Sequence, residues 1–277
     1  MSNYHYLVAG LPDIAFDGGK VVYTIDNFKE DVYPALSATD AKYIDLFFLA
    51  WDNENMIKLL REGSEAPLER TGCYSREELL EIIESAKNGD SRNAEVPAYL
   101  YDFLNFYFEN EQVENAMWPD VLSARYYNYA TAVPNKFLAG WFAFNQNVNN
   151  LLVAMLARKY KLGVADVVVG DGEIAEAIRN SAARDFGLSG TLDYIEKIQR
   201  LSENDQLQER EHQLDEMRWA WLEENSVFNY FTVERLFVFL QKLDIIARWA
   251  KLDSEKGMQR YTELIDELKG GLELPTV

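Results

Sequence analysis

The two histidines of this sequence limit the acid–base and metal chemistry that it can support. Glu209 and His212 have the Glu-x-x-His spacing of di-iron sites in helical bundles. Such a site needs a second copy of the motif on another helix. The other histidine, His5, has no glutamate three positions before it. We therefore predict no metal site and interpret His212 as an exposed residue of a charged helix.

Motifs for nucleophilic catalysis and phosphate binding are also missing. Cys73, the only cysteine, has no basic run beside it that would activate a thiolate. The segment Gly170-Asp171-Gly172-Glu173 lacks the Gly-Lys-Ser/Thr ending of a phosphate loop, and its acids would repel phosphate. We predict no catalytic residue, no cofactor and no enzymatic activity. A carboxylate-dependent hydrolase is the enzymatic alternative, because 46 acidic residues always allow some pair.

The charge balance favours protein partners. The sequence has 27 basic and 46 acidic residues, a net charge of −19. This charge opposes binding to nucleic acid or to anionic lipid. It suits either contact with basic protein surfaces or solubility alone.

No segment of the sequence favours secretion or membrane insertion. The apolar run from Leu151 to Ala157 is far shorter than the roughly 20 residues that span a bilayer. No positively charged region precedes an apolar stretch near the start. We expect a cytoplasmic protein that could still associate with a membrane complex.

Helical periodicity predicts an all-α fold in one domain, residues 1–277. Tyr43, Phe47 and Trp51 recur at helical spacing, and Ser75 with Glu78 forms a capping box. We predict a long helix from Pro134 to about Lys161 and, near the end of the chain, two helices over 231–252 and 258–268. Only the start departs from this pattern: residues 4–8 and 21–25 are predicted to be extended, as a small hairpin or as an ordered loop.

A cluster of amides lies within the predicted long helix, over residues 145–150. Asparagine is a poor helix former, because its side chain competes for backbone hydrogen bonds. Apolar residues flank the cluster, so some amides should be half-buried and need partners. We interpret Asn145, Asn149 and Asn150 either as an internal polar network or as residues that line a subunit interface or a polar cavity.

Three segments share, with decreasing closeness, one order of residue types, in which an acidic residue and an asparagine three positions later precede apolar residues and then a basic residue. The clearest is Asp52, Asn55, Met56, Ile57, Leu59, Leu60 and Arg61. A looser version is Asn147, Asn150, Leu151, Leu152, Arg158 and Lys159. The loosest, after Phe231-Thr232-Val233-Glu234, is Leu243, Asp244, Ile245, Ile246 and Arg248. The spacing of roughly 90 to 95 residues is consistent with a threefold repeat.

This order of residues resembles the helical repeats of the C subunit (also named d) of V/A-type ATPases. The opening, residues 6–12, instead resembles an uncharacterised bacterial family that is associated with V-type ATPase gene clusters. The combination resembles a divergent C subunit, with repeat lobes over about 1–96, 97–190 and 191–277.

The resemblance implies a mechanical function without catalysis. Members of the C-subunit family form a helical funnel, which seats the D and F subunits of the rotor shaft on the membrane c-ring and transmits torque for ion transport. They bind no nucleotide. The resemblance also implies that Arg158 and Arg248 are interface candidates beside the asparagines. The alternative is a helical adaptor or assembly factor.

Overall fold

A computed structural model describes residues 4–16, 22–110 and 117–270, with side chains up to residue 252. These residues form eleven α-helices and one short 3-10 helix, and no strand occurs among them. The structure is 68% helical, which confirms the predicted all-α class.

The chain divides into two compact units. Unit 1 contains residues 1–37 and 229–277, and unit 2 contains residues 38–228. The single domain and the three repeat lobes stay predictions.

Unit 1 contains α1 (His5–Gly10), α2 (Ile25–Val32), the 3-10 helix (Tyr33–Ala35) and α11 (Val233–Gly270). The prediction of an extended segment over residues 4–8 is wrong, because residues 5–10 are helical. A backbone hydrogen bond of 2.7 Å from Tyr4 N–H to the Phe231 carbonyl holds the start of α1 beside the start of α11. Of the second predicted extended segment, residue 21 lies outside the described residues, residues 22–24 form no strand, and the prediction is wrong at Ile25, which begins α2.

The last helix also differs from its prediction. The pattern predicts two helices over residues 231–252 and 258–268, but α11 is continuous from Val233 to Gly270. The first turns of α11 are strongly apolar: Leu236, Phe237 and Leu240 are fully buried. The polar residues between the two predicted segments therefore do not end the helix.

Unit 2 contains eight helices within the described residues. They are α3 (Ala38–Glu62), α4 (Arg76–Asn88), α5 (Ala98–Glu109), α6 (Trp118–Thr131), α7 (Lys136–Lys159), α8 (Glu173–Asn180), α9 (Ile195–Glu203) and α10 (Leu207–Asn225). Helix α7 packs against α6, α8, α9 and α10, while α3 packs against α4 and α6. The two longest helices of the unit, α3 and α7, thus organise the shorter ones.

Helix starts in unit 2 follow local sequence signals. Ser75 and Glu78 form the predicted capping box at the start of α4, which is confirmed. Helix α7 begins slightly later than Pro134 suggests, because the Asn135 side chain accepts hydrogen bonds from the backbone of Phe137 and Leu138. An amide oxygen at the N-cap satisfies two of the free N–H groups of the first turn.

Aromatic side chains fill much of the core of unit 2. Trp118 packs edge-on against Phe103, and Trp221 of α10 stacks on Phe144 of α7 with ring centroids 5.5 Å apart. Such rings bury large apolar areas and prefer these offset geometries. The described residues form no helix with both the length and the apolar character needed to cross a membrane.

Candidate functional site

A buried carboxylate on α3 holds the loop that leads to α4. Asp52 is fully buried, and its two oxygens accept hydrogen bonds from the backbone N–H groups of Cys73 (2.8 Å) and Tyr74 (3.3 Å). One turn later, the Asn55 amide donates to the Arg70 carbonyl at 2.8 Å. We call Asp52, Asn55 and the loop 70–74 the first clamp. It fixes the backbone directly before Ser75, the N-cap of α4.

Gly72 allows the first clamp to close. A Cβ atom at this position would overlap the Asp52 carboxylate. Only a residue without a side chain lets the loop approach the carboxylate this closely. The clamp therefore depends on Gly72 as well as on Asp52.

A buried amide on α7 holds a second loop. Asn150 is 2% exposed; its Nδ2 donates to the Val169 carbonyl (2.8 Å), and its Oδ1 accepts from the Val169 N–H (2.9 Å). Gln146 donates to the same carbonyl at 3.3 Å. We call Asn150, Gln146 and the loop 168–170 the second clamp. The adjoining carbonyls of Val168 and Gly170 accept from Arg179 of α8, which ties that helix to the same loop.

The two clamps occupy equivalent positions. Asp52 and Asn150 each lie fourteen residues after the first residue of their helix, Ala38 and Lys136. Each helix is followed by a loop of thirteen residues, 63–75 and 160–172, and then by a shorter helix. By position, the counterpart of Asp52 is Asn150, which like Asp52 accepts a hydrogen bond from a backbone N–H of the loop. The order of residue types in the sequence instead aligns Asp52 with Asn147.

The other two predicted asparagines meet at an arginine of α10. Arg218 donates to Asn145 Oδ1 and to Asn149 Oδ1, both at 3.1 Å, and to the fully buried Asp215 at 3.0 Å. Asn149 also donates to the Tyr127 hydroxyl at 3.3 Å. Burial raises the pKa of Tyr127, and this outweighs the lowering by Arg218 and by the hydrogen bond from Asn149. These groups form an internal network that joins α6, α7 and α10.

Arg158 binds backbone carbonyls within unit 2. Its guanidinium donates to the carbonyls of Ser181 and Ala183, both at 2.6 Å, and lies 3.8 Å from the ring centroid of Phe186. Phe186 has a positive φ of 56°. The arginine therefore holds the turn that follows α8, through charge-assisted hydrogen bonds and a cation–π contact.

Arg248 belongs to unit 1, where it is half-buried on α11, whereas the other four candidates belong to unit 2. Within unit 2, the structure joins Asn145 and Asn149 through Arg218. It gives Asn150 and Arg158 separate loop contacts along α7. The role of all five residues as interface contacts stays a prediction.

Sequence reasoning missed Arg218 and Asp215, although the sequence contains a usable signal. The two residues are three apart on one helix, a spacing that brings their side chains together. The polar stretch 202–216 favours a solvated helical segment on composition, yet Leu214 and Asp215 are buried. A charged pair beside apolar residues at helical spacing is the sign that this part of α10 faces a core.

Glu209 and His212 do not form a shared site. Glu209 accepts a hydrogen bond from Gln213, and His212 pairs with Glu216 at 3.5 Å. Across residues 4–16, 22–110 and 117–252, no three side chains of the His, Cys, Asp or Glu type are grouped to hold a metal ion. Gly170, the first glycine of the 170–173 segment, is part of the second clamp. It has a φ of +90°, and its carbonyl accepts a hydrogen bond from Arg179.

Comparison with known proteins gives one match. A family model described as "Protein of unknown function (DUF2764)" matches residues 1–272, which is nearly the whole chain. Neither the curated proteins nor the solved structures gave a match.

Proposed function

The chain belongs to the DUF2764 family. On the resemblance of its repeats to those of the C subunit, we propose that it is a non-catalytic central-stalk subunit of a V/A-type ATPase, equivalent to the C subunit. In this proposal it is a cytoplasmic protein, peripheral to the membrane complex. It connects the D and F subunits of the rotor shaft to the c-ring and transmits torque for ion transport.

The repeated clamp is the observation that carries the proposal. The resemblance to the C-subunit family predicts helical repeats, each with an acidic residue followed by an asparagine three positions later. In unit 2, a long helix, a thirteen-residue loop and a shorter helix occur twice, with a buried Asp52 or Asn150 holding the loop each time. Two copies of one arrangement support descent from a repeated unit.

The clamps also suit a mechanical task. In each clamp, a side chain of the long helix is hydrogen-bonded to backbone groups of the loop that follows it. Buried hydrogen bonds that are fully satisfied make such connections rigid. A protein that transmits torque needs its helices to move as one body, and the clamps fix α4 on α3 and α8 on α7.

Purification of the native complex tests the proposal. The chain is tagged at its chromosomal locus in the native host, the membrane fraction is extracted with mild detergent, and the stoichiometry of the purified proteins is measured by mass spectrometry. The shaft proteins D and F and the protein of the c-ring should co-purify in fixed ratio. A chain that purifies alone would contradict the proposal. Stoichiometric purification with an unrelated complex would favour the alternative of a helical adaptor.

A further inference from the structure

An exposed Asp-Gly pair lies in the loop of the second clamp, directly before α8. Asp171 is exposed, and its carboxylate has no hydrogen bond or ion pair with any of the described residues. Gly172 follows it as the N-cap of α8, with an extended backbone of φ −74° and ψ 161°. The side chain of aspartate is short enough to reach the backbone groups of its own and neighbouring residues. At Asp171, no other contact within the described residues holds it away from them.

The backbone nitrogen of Gly172 is open to that side chain. Its N–H has no acceptor among the residues that the structure describes. A Cβ atom added at Gly172 would have no atom within 4 Å, and glycine itself has none to obstruct the approach. The two groups that close a five-membered imide ring, a carboxyl group and the next backbone nitrogen, are therefore both accessible.

The Asn-Gly pair at the end of α4 is the opposite case. Asn88 is the last residue of that helix, and the Gly89 N–H donates to the carbonyls of Ser85 and Ala86. The same ring closure at this pair would break these hydrogen bonds and unwind the last turn of α4. The fold therefore protects Asn88 and leaves Asp171 unprotected.

We propose that Asp171 is a modification site, at which the folded protein isomerises spontaneously to isoaspartate, and that the product opens the second clamp. The Gly172 nitrogen attacks the protonated side-chain carboxyl of Asp171. A C–N bond forms, and the hydroxyl of the carboxyl leaves with the proton of the nitrogen as water. Water then cleaves the imide at its main-chain carbonyl. The chain now continues through the side-chain carbonyl, the main-chain carboxylate is free, and the mass is unchanged.

The product adds one methylene group to the backbone within a segment that hydrogen bonds close on both sides. The Gly170 carbonyl accepts from Arg179 of α8 at 2.6 Å. Val169 exchanges two hydrogen bonds with Asn150 of α7. Residue 171 lies between these contacts and the start of α8, so a longer backbone there displaces the loop from its partners. The site requires only the fold of unit 2 and does not depend on the proposed function.

The test compares each pair with its own unfolded state. The full chain is incubated folded and in urea, at about pH 6 for the aspartate, which reacts in its protonated form, and at about pH 8 for the asparagine, whose deamidation is base-catalysed. Mass spectrometry with electron-transfer fragmentation then distinguishes isoaspartate from aspartate. The rate in urea divided by the rate in the folded chain gives the protection by folding, so the different reactivities of the two residues cancel.

We expect folding to slow isomerisation at Asp171 by less than about threefold and deamidation at Asn88 by more than about tenfold, because only Asn88 has to unfold locally before it reacts. Gly172→Ala should slow the reaction at Asp171 about tenfold, since its Cβ atom obstructs the attacking nitrogen. Circular dichroism checks that this variant is folded. Protection of Asp171 by tenfold or more, or a rate that Gly172→Ala leaves unchanged, would overturn the proposed site.

Hydrogen exchange tests the effect on the clamp. The isomerised chain is separated by ion exchange and compared with the unmodified chain. The Val169 N–H donates to Asn150 at 2.9 Å, and the Cys73 N–H, which Asp52 accepts at 2.8 Å, is the control in the first clamp. We expect isomerisation to accelerate exchange at Val169 about tenfold and to leave exchange at Cys73 unchanged. Equal exchange at Val169 in the two chains would show that the product does not open the second clamp.

Discussion

The two clamps of unit 2 hold equivalent loops with different chemistry. Asp52 accepts two hydrogen bonds, from the consecutive N–H groups of Cys73 and Tyr74. Asn150 donates one and accepts one, both with the same residue, Val169. An ionised carboxylate can only accept, whereas an amide does both. The side chain in each clamp therefore matches the backbone groups that its loop presents, and the two are not interchangeable.

The two clamps are therefore alike in their place on the helix and different in their residue type. The position on the helix and the length of the loop are kept, but the residue type follows the local turn of the loop. The order of residue types in the sequence finds the first clamp but pairs Asp52 with Asn147 instead of Asn150. What is shared is a short polar side chain, buried at one place on a long helix, that binds the following loop.

The largest effect is expected at Asp52. In Asp52→Ala, two buried N–H groups lose their acceptor, and the expected loss of unfolding free energy is about 4 kcal/mol, at 1–3 kcal/mol for each donor. Urea unfolding followed by circular dichroism measures it. Glu62→Ala, an exposed acid at the end of the same helix, should cost about 0.5 kcal/mol or less. Similar losses in the two variants would show that the first clamp does not stabilise the fold.

The sequence predicted much of the fold but only the outline of this site. Periodicity predicted the helices, because burying an apolar stripe requires it. It indicated that the amides of α7 need partners, yet Val169 lies nineteen residues after Asn150. Nothing local specifies which loop carbonyl meets which amide, since that depends on how loop 160–172 returns to α7.

The start of the chain shows the same limit. Tyr4 to Val8 has no helical stripe of its own, and its pattern alone predicts an extended segment. In the structure, residues 5–10 form a single short helix, held at Tyr4 by the Phe231 carbonyl of a segment more than two hundred residues later. Tertiary contacts decide the conformation of such short segments, because a helix of this length is marginal by itself.

The second prediction exchanges the chemistry of the second clamp for that of the first. In Asn150→Asp at neutral pH, the Val169 carbonyl loses its shorter donor, keeps only Gln146 and faces a buried carboxylate, which should cost about 3 kcal/mol. Protonation restores a donor to the side chain. The difference in unfolding free energy from the unsubstituted chain should therefore shrink as the pH falls toward about 4.

Urea titrations at several pH values measure this recovery. The control is Asn128→Asp, which adds the same charge at an exposed position of α6. A deficit in Asn150→Asp that stays constant with pH would contradict the assigned roles of the two amide atoms, and the clamps would then not differ as described.

The third prediction compares the glycines beneath the two loops. Gly72→Ala should cost about 2 kcal/mol, because the new methyl group meets a buried carboxylate that has no room to move. Gly170→Ala should cost about 1–2 kcal/mol, mainly because its φ of +90° disfavours a side chain. The amide of Gln146, which lies against Gly170, is the far end of a flexible side chain and can shift.

Thermal melting separates the two glycines from a third. Gly172→Ala adds a methyl group in open space, and its only expected cost is about 0.7 kcal/mol, because alanine is a poorer N-cap than glycine at the start of α8. If Gly72→Ala and Gly172→Ala have the same melting temperature, loop 70–74 does not approach Asp52 as closely as the structure shows.

The smallest expected effects are at the two accessory amides, Asn55 and Gln146. Asn55 is 5% exposed and donates to a carbonyl, Arg70, that is distinct from the groups bound by Asp52. Gln146 donates at 3.3 Å to the Val169 carbonyl, which Asn150 already binds at 2.8 Å. Asn55→Ala should therefore cost about 1 kcal/mol, and Gln146→Ala about 0.5 kcal/mol or less.

A double-mutant cycle in each clamp tests this assignment through the coupling between its two residues. Gln146 and Asn150 share one acceptor, so each amide can partly replace the other, and the double variant should lose more than the sum of the single losses. Asp52 and Asn55 bind different backbone groups, so the loss of unfolding free energy in their double variant should be close to the sum of the two single losses. A larger coupling between Asp52 and Asn55 than between Gln146 and Asn150 would mean that the first clamp acts as one cooperative unit and the second as two independent bonds. The clamps would then be alike in position only, and the support that they give to a repeated origin would be reduced to helix and loop lengths.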